Sequence, residues 1–126
     1  MKILIVDDAG FIRDMLVRIF LEAGLDVIGE AATGLQAIAL TEELNPDIIF
    51  MDLVLPDMNG LEATAEIIKK HPQKKIIACT SLYEAWVEAK AMELGCCYFI
   101  KKPFYKDEIL KAIDFASKNE RLASYG

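Results

Sequence analysis

Four places in this chain bring together residues able to do chemistry, and each follows a short apolar run. Asp7 and Asp8 follow KILIV (2–6), Asp52 follows DIIFM (47–51), Thr80 follows KIIAC (75–79), and Lys101 and Lys102 follow YFI (98–100). An apolar strand covered on both faces is a costly place to leave a charge unpaired, so Asp52 needs a partner at its strand end or a position in water. If the first and third runs are neighbours, Asp7, Asp8 and Asp52 converge. Like charges that close raise one another's pKa unless a cation joins them. Oxygen ligands without a nearby His or Cys suit a hard ion. A site with few protein ligands and several retained waters fits Mg²⁺ better than Ca²⁺, and no EF-hand spacing supports calcium. The plainer alternative is three solvated turn acids. A metal and an ammonium facing a carboxylate can hold a phosphoryl group in line for transfer, and a carboxylate is itself a phosphoryl acceptor. The Thr80 hydroxyl could then donate to a phosphate oxygen, although a lone threonine there reads as a helix-adjacent cap. Adjacent residues on an extended chain point to opposite sides, so only one of Lys101 and Lys102 faces such a site; spacing does not choose between them.

The elements that must position these groups are legible from periodicity. Besides the four runs above, DVIGEAA (26–32) reads as a strand. Between the strands lie helical patterns. Residues 11–23 align Ile12, Met15, Leu16, Ile19, Phe20 and Ala23 on one face, with Gly24 where a C-terminal cap belongs. Thr33 caps a second helix that stops before Asn45–Pro46. Asn59 or Gly60 opens a third, ended at His71–Pro72. Ser81 and Glu84 have capping-box spacing for a fourth, closed near Gly95. The fifth runs from about Phe104 to about Ser117, with Ile109, Ala112, Ile113 and Ala116 on one side. Strand–helix repeated five times, with strands apolar throughout, predicts an α/β fold: a single doubly wound parallel sheet of five strands with five helices. In such sheets ligands bind at the carboxyl ends of the strands, where four of the five deliver a polar group.

Composition narrows the partners. The 126 residues suit one domain, expected to fill 1–120 with a short tail at 121–126. Apolar residues make up 54%, too many for disorder, and no run approaches a membrane span. A first strand starting at Lys2 leaves no room for a leader, so a cytoplasmic protein is expected. The net charge of −6 argues against direct nucleic-acid binding and suits a basic docking partner. Cys79, Cys96 and Cys97 lack zinc spacing and read as reduced, mostly buried residues. The five methionines read as core filler and His71 as a solvated cap.

The motifs IVDD (5–8), MDLVLPDMNG (51–60), CTS (79–81) and KPF (102–104) resemble the receiver domain of two-component response regulators, over a span from Lys2 to about Ser117. The likeness is to stand-alone receivers of the chemotaxis type, and it implies the flavodoxin-like strand order 2-1-3-4-5. It further implies that Asp52 is the phosphoacceptor, served by a histidine kinase or a small acyl phosphate. Asp8, Asp52 and the backbone carbonyl of Val54 would bind Mg²⁺, with Asp7 acting largely through water. Thr80 would bond the phosphoryl group, and Phe99 would be the aromatic that turns inward as Thr80 moves. The family pattern places its lysine immediately before the proline, which selects Lys102, and implies a cis Lys102–Pro103 bond.

Val54 and Leu82 are apolar where receivers often carry polar residues beside the path of the hydrolytic water, which implies slow self-dephosphorylation. The expected readout surface is the face of helix 4, strand 5 and helix 5, where Tyr83 and Trp86 are either partner contacts or core. The expected protein is a monomeric phosphoacceptor that assists its own phosphorylation and dephosphorylation rather than an enzyme with free substrates. Its output would be docking to a downstream protein, with chemotaxis and the flagellar motor as one setting, or passing the phosphoryl group along a phosphorelay. Two competing functions fit the residues less well. A flavodoxin-like cofactor binder should offer hydroxyls and N–H groups after strand 1, where Asp7–Asp8 would repel a phosphate. An aspartate-dependent phosphatase usually carries a second acid where Val54 stands.

Overall fold

A computed structural model describes residues 1–82 and 84–123, with residues 119–123 described for their backbone alone. The elements run β1 (Lys2–Val6), α1 (Gly10–Glu22), β2 (Asp26–Ala31), α2 (Gly34–Leu44), β3 (Ile48–Asp52), α3 (Gly60–Lys70), β4 (Lys75–Thr80), α4 (Ala85–Leu94), β5 (Tyr98–Lys101) and α5 (Lys106–Ala123). All strand pairs are parallel, and the sheet order is β2-β1-β3-β4-β5. β1 and β3 are therefore neighbours at the centre, as convergence of the acids requires.

Alternation along each strand sorts the core into two layers. Ile3, Ile5, Ile48, Phe50, Ile77 and Cys79 pack against Leu16 and Phe20 of α1 and Ile109, Ala112, Ile113 and Ala116 of α5. Leu4, Val6, Ile49, Met51, Ile76 and Ala78 face the other way, onto Ala37 of α2, Ala63 and Ile67 of α3, and Val87 and Ala91 of α4. The sheet is thus buried on both faces, which is why its strands are apolar throughout.

Helix ends follow local chemistry. Thr33 accepts from the Gln36 N–H and Asn59 from the Leu61 N–H, as their N-cap positions demand. Helix α1 ends in a Schellman motif: the Leu25 N–H bonds the Phe20 carbonyl and the Gly24 N–H the Leu21 carbonyl, with Gly24 at φ +80°.

Several local expectations are corrected. Ser81 does not cap α4: Glu84 holds the N-cap position without a side-chain bond, and the helix starts at Ala85. The Thr80 hydroxyl accepts the Leu82 N–H in a local turn that precedes the helix. Helix α5 starts at Lys106, because Phe104 packs edge-on against Phe50, and runs past Ser117 through helix formers to Ala123. On α1 only Leu16 and Phe20 are buried, while Met15 and Ala23 are exposed. Of the methionines Met51 is core and half-buried Met58 packs against its layer, whereas Met1, Met15 and Met92 are exposed.

Candidate functional site

The site lies at the carboxyl edge of the three central strands and β5. Val6 stands opposite Met51 across β1 and β3, so the next residues, Asp7 and Asp52, come level. Asp52 in turn pairs with Cys79, and Thr80 with Lys101. Continuing the alternation, Asp7 follows Ile3 and Ile5, Asp52 follows Ile48 and Phe50, and Lys102 follows Ile100, all on the layer shared with α1 and α5. Lys101 falls on the opposite parity and is exposed. Parity therefore chooses Lys102. Its Nζ donates to Asp7 Oδ2 at 2.9 Å and to Asp52 Oδ2 at 3.1 Å. The peptide bond between Lys102 and Pro103 is cis.

Asp7 and Asp52 are almost fully buried, at 1% and 2% exposure, whereas Asp8 is exposed. One carboxylate oxygen from each of Asp7, Asp8 and Asp52 lies within 4.8 Å of the others. Burial pushes the Asp52 carboxyl up to about 6, although the Val54 N–H and the Lys102 ammonium pull the other way. Burial alone would lower the Lys102 ammonium; its bonds to Asp7 and its attraction to Asp52 outweigh that and raise it. One ammonium answers three carboxylates, which leaves room for a divalent cation.

The loop after Asp52 is tightly determined. The Val54 N–H donates to Asp52 Oδ1 at 3.0 Å, and Val54 forms an isolated bridge with Asn59. The Gly60 N–H bonds the Leu53 carbonyl at 2.9 Å. A Cβ on Gly60 would stand 2.4 Å from Leu53 Cα and 2.6 Å from the Asp52 carbonyl oxygen, so only glycine permits this return of the chain.

Thr80 is fully buried, on the layer of Ala78. Phe99 pairs with Ala78 in register and packs half-buried against the same layer. Thr80 and Phe99 thus share one face of the sheet, opposite to that of Lys102.

Residues 3–114 match the sequence model of the response regulator receiver domain. The chain belongs to this family. The receiver is 40% identical to the chemotaxis protein CheY of Listeria monocytogenes, over 94% of this chain and 99% of that one. It is 42% identical to CheY of Thermotoga maritima, over 93% and 98%. Among solved structures it is similar to a chain of the CheX–CheY–BeF3–Mg²⁺ complex of Borrelia burgdorferi, with TM-score 0.86 at 27% identity over 90% of this chain and 86% of that one. These likenesses agree with a stand-alone, CheY-like receiver.

Two contacts of this receiver's site were not read from sequence. Arg13, on the first turn of α1 beyond the acidic pair, donates from Nη1 to the Asp7 carbonyl at 2.7 Å and from Nε to Glu30 at 3.1 Å. Asp57 binds the first turn of α2. An arginine one turn into the helix after Asp7–Asp8 was a usable signal for the first; the second joins segments more than twenty residues apart, and nothing local marks it. Of the tempting aromatics, Trp86 is 59% exposed on α4, and Tyr83 lies outside the described residues. His71 is not merely solvated: its ring sits 2.9 Å from Glu42 Oε1. The three cysteines are free thiols. No helix among the described residues is long and apolar enough to cross a membrane.

Proposed function

We propose that this receiver is a stand-alone response regulator that accepts a phosphoryl group on Asp52 from a histidine kinase, in a Mg²⁺-dependent reaction, and so switches its docking to a downstream protein. The observation that carries this reading is the single Lys102 ammonium bridging two buried carboxylates, with a third within reach.

Asp7, Asp8 and Asp52 are hard oxygen donors carrying more negative charge than Lys102 can balance, which fits Mg²⁺. Asp8, Asp52 and the Val54 carbonyl would hold the ion, and Asp7 would act largely through water. Bound there, Mg²⁺ would neutralise charge on the acceptor and on the incoming phosphoryl oxygens. The ionised Asp52 oxygen attacks phosphorus as the bond to the donor's imidazole nitrogen or acyl oxygen breaks. Lys102, held on Asp7, stays positioned to take a phosphoryl oxygen while Asp52 gives up its lone pair. The Thr80 hydroxyl proton is available to another.

The new negative charge draws Thr80 toward it, and the space Thr80 leaves lies on the face that Phe99 shares. The face of α4, β5 and α5 then presents the readout. Within the family this makes the chain a phosphoacceptor that assists its own modification, acting in the cytoplasm as a monomer; passing the phosphoryl group onward in a phosphorelay is the second output.

Incubation with a small acyl phosphate, with and without Mg²⁺, followed by intact-mass spectrometry tests the reading. A single phosphoryl adduct is expected only with Mg²⁺ and the native Asp52. Equal labelling of Asp52→Asn would refute it. Mg²⁺ alone should raise the Tm of the native protein by mass action, and that of Asp52→Asn less.

A further inference from the structure

The loop that carries Val54 is fastened at its outer side to a different helix. Asp57 Oδ1 accepts from the Gly34 N–H at 2.8 Å, and Oδ2 from the Leu35 N–H at 3.0 Å. Thr33 takes the next donor, Gln36 N–H, so the first-turn amides of α2 are divided between its own cap and a residue of the acceptor loop. Beside this bond, Met58 fills the space a side chain at Gly34 would need. A Cβ there would meet Met58 Cγ at 2.3 Å and Sδ at 2.7 Å. On its inner side the same loop is held by the Val54 N–H on Asp52 Oδ1 and by the Val54–Asn59 bridge. Val54 therefore sits on a short span pinned at Asp52 and again at Asp57.

We infer that Asp57 is a positioning residue for the acceptor loop: its two bonds to the start of α2 set the Val54 backbone, and through it the affinity of the acidic site for Mg²⁺, without Asp57 touching the ion. The inference rests on the receiver reading above, which assigns the Val54 carbonyl to the ion. Groups that orient a ligand from one step away change metal affinity by about 10–100-fold when removed. Asp57 is exposed, so its loss leaves the core intact.

The test is titration of the full chain with MgCl2 by calorimetry, with hydrogen exchange of the Gly34 and Leu35 amides as a second reading. Asp57→Ala is expected to weaken Mg²⁺ binding about tenfold and to speed exchange at both amides. Asp57→Asn keeps one acceptor oxygen and should fall between this variant and the native protein. Gly34→Ala changes no charge, yet displaces Met58 and its neighbour Asp57, and should weaken Mg²⁺ as Asp57→Ala does. Native affinity in Asp57→Ala, with only a lower Tm, would make the bond structural and overturn the inference. Equal losses in Asp57→Ala and Asp57→Asn with Gly34→Ala unchanged would also overturn it, since surface charge would then be the cause. If the native chain itself takes up no Mg²⁺, the receiver reading falls and this inference with it; native binding with no effect of Asp57 removes this inference alone.

Discussion

The Lys102 ammonium stands 3.1 Å from Asp52 Oδ2 while also holding Asp7 at 2.9 Å, so one flexible side chain ties the end of β5 to the ends of β3 and β1. In the metal-free protein this contact is the balance point of the site. Two buried acids share this ammonium with Asp8 beside them, and burial disfavours the ionised form of Asp52.

Stability of the metal-free protein should therefore fall with rising pH in a defined window. The folded-state pKa of Asp52, about 6, lies above its ordinary value of 3.8, so the folded state binds the extra proton between these values. The unfolding free energy then declines as pH climbs from about 4 to 6 and stays lower above it. Asp52→Asn should remove this component and gain about 1–3 kcal/mol at pH 7 in EDTA. Urea denaturation of both proteins at pH 4.5 and 7 checks it; parallel curves would contradict it.

Lys102→Met should act in the opposite sense. It leaves Asp7 and Asp52 buried side by side without their cation, at a cost of about 2–4 kcal/mol in EDTA at pH 7. Mg²⁺ should recover more Tm in this variant than in the native protein, because it replaces the missing charge. The raised Lys102 pKa works the same way along the pH axis: its stabilisation is complete below the ordinary lysine pKa of 10.5 and lost as pH rises beyond it. Thermal melts with and without Mg²⁺ read the first effect.

Val54 and Leu82 are 44% and 40% exposed at the mouth of the site, apolar side chains two residues beyond Asp52 and Thr80. Neither can order an attacking water. A phosphorylated form that persists longer than that of receivers with polar residues at both positions is expected. Val54→Asn with Leu82→Glu should shorten its half-life severalfold, measured by loss of the phosphoryl adduct from intact mass. An unchanged or longer half-life would count against this account.

The thiols should be nearly inert in the folded protein. Burial raises Cys79 well above the ordinary thiol range and pushes Cys96 up to about 12; it also raises half-buried Cys97, though Lys75 opposes. Ellman's reagent at pH 8 is expected to react slowly with Cys97, negligibly with the other two, and with all three in denaturant. Rapid reaction of two thiols in the native state would show that a core layer opens readily, the layer of Cys79 or that of Cys96.

Much of this architecture could be read in advance because parallel strands covered on both faces have to be apolar along their whole length, which made KILIV, DIIFM and KIIAC easy to locate. Caps with local logic, Thr33 and Asn59, were equally plain. Ser81 misled because a capping-box spacing does not fix where a helix starts: the Thr80 hydroxyl takes the Leu82 amide in a local turn, and the N-cap falls at Glu84. Met15 and Ala23 misled because periodicity marks a face of α1 without stating how much of it the sheet covers.

The sequence by itself determined the order of strands and helices, the polar residues at four of the five strand ends and the family to which the motifs point. The Lys102–Pro103 motif selected Lys102 by resemblance, but only the tertiary structure supplied the physical ground, strand parity, and decided that Asp7 is buried while Asp8 is exposed and that Asp57 reaches across to α2. The reason is physical. Local order is written in spacing and side-chain type, whereas a choice between neighbouring residues depends on which layer each strand face meets, and a contact between distant segments on a register that no single segment contains.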